Sequence, residues 1–360
     1  MIVKMIEYSL NSHKTILITP LNWGLGHASR CIPIIKALQE NNYIPIIASD
    51  GIALDLLRKE FPYLKMLELP SYQIEYPKNS FYFKWKLILN SPKMILAIWN
   101  EKKIVAKWID QYEIDGILSD NRFGCYSKRI PSVYITHQIN VLTGKTTWIT
   151  SKLHQKIIKK YTECWIPDVE KIPNLANKLS HLKHSNLNLK YIGPLSRMIK
   201  KELPIKYDLM VILSGPEPQR SLLEEKIKVE LKRYRGEVVF IKGIIEKEQT
   251  KEKIKNILFY NFMNSRQLEQ AFNESEIILC RSGYTTIMDL VKLGKKAFFI
   301  PTPGQYEQVY LAQKLKNEGL APFANQDEFK IENLFELNKY SGLQTINNKI
   351  DWENLFEVFQ

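Results

Sequence analysis

The chain has 360 residues, 45% of them hydrophobic, which is material for two packed α/β domains and excludes a disordered or collagen-like polymer. Its 51 Lys plus Arg against 38 Asp plus Glu leave a formal charge of +13, which points to an anionic partner such as nucleic acid, a phospholipid surface or a phosphate-bearing substrate. Cys31, Cys125, Cys164 and Cys280 are too scattered for a zinc site or a secreted disulfide framework, and neither a signal peptide nor a membrane span is expected, so a reducing cytoplasm is the anticipated compartment.

From residue 15, short β-branched runs alternate with longer amphipathic ones, the pattern of parallel strands joined by crossover helices. Strands are predicted near Thr15 to Thr19, Ile44 to Ala48, Lys65 to Leu69, Gly116 to Ser119, Val133 to Ile135 and Glu163 to Ile166. Ser91 and Pro92 read as the cap and first turn of a helix. A second series has strands near Leu209 to Ser214, Val238 to Ile241, Leu258 to Tyr260, Ile277 to Cys280 and Ala297 to Ile300. Helices are expected at Gln219 to Arg233, Arg266 to Asn273, Thr286 to Lys292 and Glu307 to Asn317. Two prolines, a glycine and a charge run at Gly193 to Tyr207 mark the join. The expected architecture is therefore two facing, doubly wound domains, 1–200 and 201–345, with 346–360 as a tail. Trp352, Leu355, Phe356 and Phe359 share one helical face that should dock on a domain surface.

The first strand runs into a turn carrying Gly24, Gly26, His27 and Arg30, where glycines let backbone approach a ligand and a helix start offers N–H groups to negative charge. With Asp50 ending the second strand, a nicotinamide site is one reading, but Ser29 stands where its third glycine would be. His27 is placed to take a proton from a substrate hydroxyl, or else is a turn histidine bonded to backbone. In the second half, Cys280 ends a buried strand, and Arg281, Ser282, Gly283, Thr285 and Thr286 fill the turn and helix start that follow. This is a seat for a diphosphate at the positive end of a helix dipole, with Arg281 beside the leaving phosphate. Asp289, one turn on, could accept from a ribose diol; simple capping and a solvated surface charge are the competing readings. Ser214 and Gly215 follow the first strand of this half, and Gln305, Glu307 and Gln308 follow the last, a set suited to reading sugar hydroxyls. Asp168 and Glu170 read as a polar turn, and the sequence contains no Asp-x-Asp, so no metal is expected to bridge the phosphates.

Together these segments resemble glycosyltransferases of the GT-B superfamily, and most closely the MurG-like family 28. The similarity lies in Ile278 to Pro303 with its Arg-Ser-Gly turn, in Thr136 to Asn140 (THQIN), and in Tyr191 to Met198 (YIGPLSRM). It implies two Rossmann-like domains around a cleft and an inverting, metal-independent transfer from a UDP-sugar, with no cofactor. Asp289 would hold the uridine ribose, Ser282 and Gly283 the diphosphate, Glu307 and Gln308 the sugar, and His27 would sit beside the reacting centre. Asn121, Arg122 and His137 follow strand ends of the first domain and are assigned to the acceptor with Gly24, Gly26 and Arg30. The Gly-His-x-x-Arg-Cys pattern at residues 26–31 also resembles a GT-B-like UDP-sugar hydrolase, and a non-catalytic nucleotide-sugar binder is a further alternative. Tyr72, Tyr76, Phe81, Tyr82, Phe83, Trp85, Trp99 and Trp108 interleave with lysines, as suits either an anionic membrane interface or a buried helix pair with snorkelling lysines; no nucleic-acid motif occurs. Residues 1–200 carry 28 Lys plus Arg against 15 Asp plus Glu, while the remainder balances, so the whole excess falls in the expected acceptor half. A lipid-linked or other glycan acceptor at the inner face of the cell membrane fits that asymmetry.

Overall fold

The structure, a computed structural model, describes residues 13–72, 83–182, 185–346 and 349–360, with backbone alone for 83–91. The expected aromatic positions Tyr76, Phe81 and Tyr82, and the side chains of Phe83 and Trp85, lie outside the described part. Seven parallel strands form the first sheet: β1 (Thr15–Pro20), β2 (Ile44–Ser49), β3 (Lys65–Glu68), β4 (Ile114–Asp120), β5 (Ser132–Ile135), β6 (Glu163–Ile166) and β7 (Leu189–Tyr191). Their order is β3-β2-β1-β4-β5-β6-β7. The second sheet contains β8 (Tyr207–Ile212), β9 (Val238–Ile241), β10 (Lys251–Ile254), β11 (Ile257–Tyr260), β12 (Ser275–Cys280) and β13 (Lys296–Phe299). Here the order is β10-β11-β9-β8-β12-β13, parallel except for the edge strand β10. Strand order reverses between β1 and β4 and again between β8 and β12, the positions where open α/β sheets bind ligands.

Helices α1 (Gly26–Glu40), α2 (Gly51–Glu60), α3 (Phe83–Gln111) and α4 (Thr147–Ile158) belong to the first sheet, and α5 (Gln219–Leu231), α6 (Ser265–Asn273), α7 (Tyr284–Leu293) and α8 (Tyr306–Asn317) to the second. Ends follow local chemistry. Asn264 and Gln267 form a capping box at the start of α6, and Gly294 ends α7 at φ +65°, a conformation glycine takes without steric cost. The helix expected to begin at Ser91 and Pro92 instead begins at Phe83, and Pro92 lies in its interior at the cost of one backbone hydrogen bond.

The connecting segment, 193–206, has no regular structure and is strapped to the second domain. Ile199 N donates to Glu269 (2.8 Å), Lys201 N to Asn273 (2.9 Å), and the buried Leu195 lies against Met288. The chain end returns to the first domain. Only α9 (Trp352–Phe356) is α-helical, followed by a tighter turn through Phe359, and Phe356 and Phe359 are buried beside Tyr43 and Trp165. Lys14 Nζ donates to the carbonyls of Phe359 and Gln360, each at 2.7 Å. Gly116 in β4 makes room: a Cβ there would lie 2.3 Å from the Phe359 ring. Phe359→Ala should therefore cost about 3 to 5 kcal/mol in urea unfolding, whereas a loss near zero would show that the tail does not complete the core.

Candidate active site

The first switch point gathers charge. Asp120 ends β4 fully buried, and its carboxylate accepts from the Nε and Nη2 of Arg30 while Oδ1 lies 2.7 Å from His27 Nδ1. Arg30, itself buried on α1, so satisfies both oxygens. Burial penalises the Asp120 anion, but Arg30 and His27 more than offset it, and its pKa falls well below the usual carboxylate range. Arg30 Nη2 is also 2.8 Å from His27 Nδ1. Because that nitrogen faces a carboxylate, it carries the proton, which leaves the Nε2 lone pair available; the contacts of the ring with Asp120, Arg30 and Asn121 all lie at Nδ1. Burial first, then the Arg30 charge, hold His27 below its ordinary pKa against the opposing pull of Asp120. The ring is thus neutral near pH 7 and able to accept a proton.

The second switch point faces the first. Gly26 O accepts from Thr285 Oγ1 at 3.1 Å, so the glycine-rich turn before α1 touches the start of α7. Tyr284, buried, stacks on His137 with ring centroids 4.0 Å apart and planes within 1°, and its hydroxyl donates to Pro167 O (2.9 Å). His137 Nε2 and Gln138 Nε2 both bond to Glu307 of α8, and His137 Nδ1 lies 3.1 Å from Arg30 Nη1. Although burial acts to raise the Glu307 pKa, His137, Arg30 and His27 together outweigh it and the carboxylate is held ionised. Asp120, Arg30, His137 and Glu307 consequently form one chain of alternating groups across the two domains. Among the described residues no side chain caps α7, and a Cβ on Gly283 would meet nothing within 4 Å, so there is free space beside the start of this helix. Gly215, at φ +104°, lies near Thr302, whose buried hydroxyl has no hydrogen-bond partner among the described residues.

Several expected ligand contacts are structural instead. Arg281 is buried with Nη1 donating to Ile300 O and Pro301 O and Nη2 to Gln219 O and Gln326 Oε1; burial pushes its pKa down to about 9. It braces three loops, so it does not face a leaving phosphate. Ser282 Oγ donates to Gln308 O (2.8 Å), and Gln308 Oε1 accepts from Thr302 N, which joins the loops after β12 and β13. The Thr285 hydroxyl is likewise committed to Gly26. Arg30 and Arg122, assigned to the acceptor, are both buried: Arg122 pairs with Asp50 and Glu101 and also bonds to Pro20 O and Pro70 O. Asp50, bound there and to Asn22, is not placed for a ribose. Tyr72 donates to Glu101, and Trp108 packs against the first sheet, so neither belongs to an exposed aromatic face. Asp168, in the turn expected after β6, is buried and holds the amides of Leu175 and Ala176.

Ser214, Gly215, Gly283, Thr286 and Gln305 line the second domain's strand ends, and Gln305 precedes α8. Asp289 is buried on α7; its Oδ1 accepts from Ser196 Oγ (2.6 Å), and burial pushes its pKa up to about 6. Gly24, at φ +78°, has open space where a side chain would stand. Asn121 adjoins Asp120 at φ +58°. Sequence reasoning missed Asp120, although an acidic residue ending the strand beside β1 was a visible signal, and missed Tyr284, whose partner lies in the other domain.

Residues 217–343 match the glycosyltransferase family 28 C-terminal domain. The chain is 24% identical over 261 residues to the UDP-N-acetylglucosamine--N-acetylmuramyl-(pentapeptide) pyrophosphoryl-undecaprenol N-acetylglucosamine transferase of Buchnera aphidicola, covering 70% of this chain and 69% of that one. It is 23% identical over 327 residues to the same-named protein of Glaesserella parasuis, covering 86% and 85%. Among solved structures it resembles Acinetobacter baumannii MurG (TM-score 0.55, 14% identity, 96% and 99% covered). A Listeria monocytogenes UDP-N-acetylglucosamine 2-epimerase homologue is similar at TM-score 0.58 and 10% identity, covering 91% and 88%, so the shared fold alone does not fix the reaction.

The buried Arg122 pair separates support from chemistry. Glu101→Ala should cost about 3 kcal/mol in denaturant unfolding, because it strips a partner from an inaccessible guanidinium. Asp110→Ala, at the exposed pair with Arg129, should leave stability almost unchanged; equal effects would remove the network from the scaffold.

Proposed function

We infer that this chain, a GT-B glycosyltransferase resembling family 28, moves a sugar from a UDP-sugar to an acceptor hydroxyl by inverting, metal-independent displacement, with His27 as general base. The observation that carries this reading is the His27 to Asp120 bond at the first switch point, with Nε2 left as a base, in a turn whose Gly26 carbonyl touches the uncapped start of α7. In this scheme Asp120 holds the ring in its tautomer and stabilises the imidazolium that forms when His27 takes the acceptor proton. The donor diphosphate rests on the first amides of α7 and the Gly215 turn, near the Thr302 hydroxyl, and these fixed dipoles carry the charge of the departing UDP. The Asp289 carboxylate accepts from the ribose. UDP-N-acetylglucosamine is the donor of choice, since it is the donor in the names of the curated relatives.

The acceptor is lipid-linked, and the first domain meets an anionic membrane, on its cytoplasmic side, through α3 and α4. Ile95, Leu96 and Trp99 on α3 and Trp148, Ile149 and Leu153 on α4 are exposed, and the buried sides of both helices meet at Phe123. Lys93, Lys102, Lys103, Lys145, Lys152 and Lys156 surround them, with Lys103 Nζ 3.4 Å from the Trp99 ring centre. Apolar anchors ringed by cations match an anionic interface.

His27→Ala should lower transfer from UDP-N-acetylglucosamine to the undecaprenol-linked acceptor of the curated relatives at least 100-fold, with the product anomer inverted in the wild type. Near-normal rates in the variant would dismiss the base, a retained anomer would dismiss direct displacement, and release of free sugar without acceptor would favour a hydrolase.

UDP affinity, followed by calorimetry from pH 8 to pH 5, should weaken as Asp289 is protonated below about pH 6. In Asp289→Asn that component should vanish, leaving only the titration of UDP itself; identical profiles would take Asp289 out of the donor site. Vesicles containing phosphatidylglycerol should retain the protein at low salt and release it at high salt. Trp148→Ser with Leu153→Ser should weaken retention, and unchanged binding would mean that α4 is not the contact.

A further inference from the structure

Beyond the reacting pair runs a buried chain of polar side chains that the proposed reaction does not yet use. Tyr134, on β5 and fully buried, places its hydroxyl 3.0 Å from Asn121 Oδ1 and 2.9 Å from His154 Nε2 on α4. Asn121 follows Asp120 in the left-handed region, which Asn tolerates better than most residues, and its Nδ2 lies 3.4 Å from Asp120 Oδ1 and 3.5 Å from His27 Nδ1. The amide N–H edge therefore faces the carboxylate and Oδ1 faces Tyr134. Since Tyr134 has a single proton to give, it goes to Asn121, and His154 must donate to the phenol oxygen through Nε2.

Nδ1 of His154 is buried and, among the described residues, makes no hydrogen bond of ordinary geometry, although the Gln138 backbone lies close enough to oppose the effect of burial on the ring. Burial holds the His154 pKa down to about 4, so the ring is neutral around pH 7. An apolar residue of similar shape would fill the same space but could not donate to the Tyr134 oxygen. The opposite side of α4 carries the exposed Trp148, Ile149 and Leu153. The chain thus links an exposed helix to the base.

We propose that Tyr134 and His154 are positioning residues for the reaction at His27, acting by fixing the Asn121 carboxamide against the His27 and Asp120 pair. This rests on the reading of His27 as general base. Asn121 presents a positive dipole edge to both Nδ1 of His27 and the Asp120 carboxylate, which sets the orientation and basicity of the ring. The charged or titratable groups around His27 are Asp120, Arg30, His137 and Glu307, and the uncharged relay adjusts a field that they dominate.

The test follows the His27 imidazole in the full chain by nitrogen-proton correlation spectroscopy across pH, its signals identified by their loss in His27→Gln. Losing the amide edge removes a positive dipole from the ring, so Tyr134→Phe and Asn121→Gly should each move the His27 midpoint upward. Glycine keeps the left-handed backbone accessible at position 121, and Tyr134→Phe should cause no further movement in the Asn121→Gly background. With UDP-N-acetylglucosamine as donor, both variants should lose about tenfold in kcat with donor KM within twofold. His154→Gln, which can still donate to the phenol, should retain the rate that His154→Leu loses. A His27 midpoint unmoved by Tyr134→Phe, or effects of the two substitutions that simply add, would overturn the relay. Normal turnover in His27→Ala would instead defeat the base assignment, and the titration would still decide the relay.

Discussion

Asp120 is the constraint on which the arrangement depends. A carboxylate fully buried at the end of a central strand is tolerable only with its charge compensated, and Arg30 supplies both donors from the first turns of α1. That pairing fixes how α1 sits over the sheet and brings His27, one turn earlier, within 2.7 Å of the same carboxylate. Arg30 then reaches His137, and His137 reaches Glu307 on the other domain. One buried charge therefore sets both the tautomer of the proposed base and the register in which the two domains meet.

The halves handle negative charge by different means. Around the second switch point, the Nη atoms of Arg281 are committed to backbone carbonyls and Gln326, and the seat proposed for phosphate is made of uncapped helix amides and backbone turns. Fixed dipoles need no reorganisation when charge develops on a leaving group. The excess of Lys and Arg lies entirely within residues 1–200, and the exposed apolar residues of α3 and α4 lie among those cations. Long-range attraction and local recognition are thereby assigned to different domains.

Much of the fold was legible because its strands are β-branched runs bounded by Gly, Pro and Asn, and eleven of them fall where periodicity put them. The edge strand β10, with the sequence KEKI, carries no apolar signal because both of its faces are exposed, and β7 is three residues long. Pro92 misdirected the start of α3, since a first-turn proline and an interior one look alike in sequence. The loops of the site were legible as loops, but the direction of their side chains was not. Arg281, Ser282, Thr285, Arg30 and Arg122 have the chemistry of ligand contacts, yet each bonds to groups at least 19 residues away along the chain. Asp120 showed in sequence only as an acid at a strand end, because its partners come from α1, some ninety residues earlier in the chain.

Asp120→Asn tests the central claim most directly, because it keeps the shape of the side chain while removing the charge that orients His27 and balances Arg30. Turnover of UDP-N-acetylglucosamine in the presence of acceptor should fall by about 100- to 10,000-fold, while UDP affinity, which reports a folded second domain, stays within twofold of wild type. Turnover within threefold of wild type would contradict the account, since the proposed base would then work without the carboxylate said to hold it.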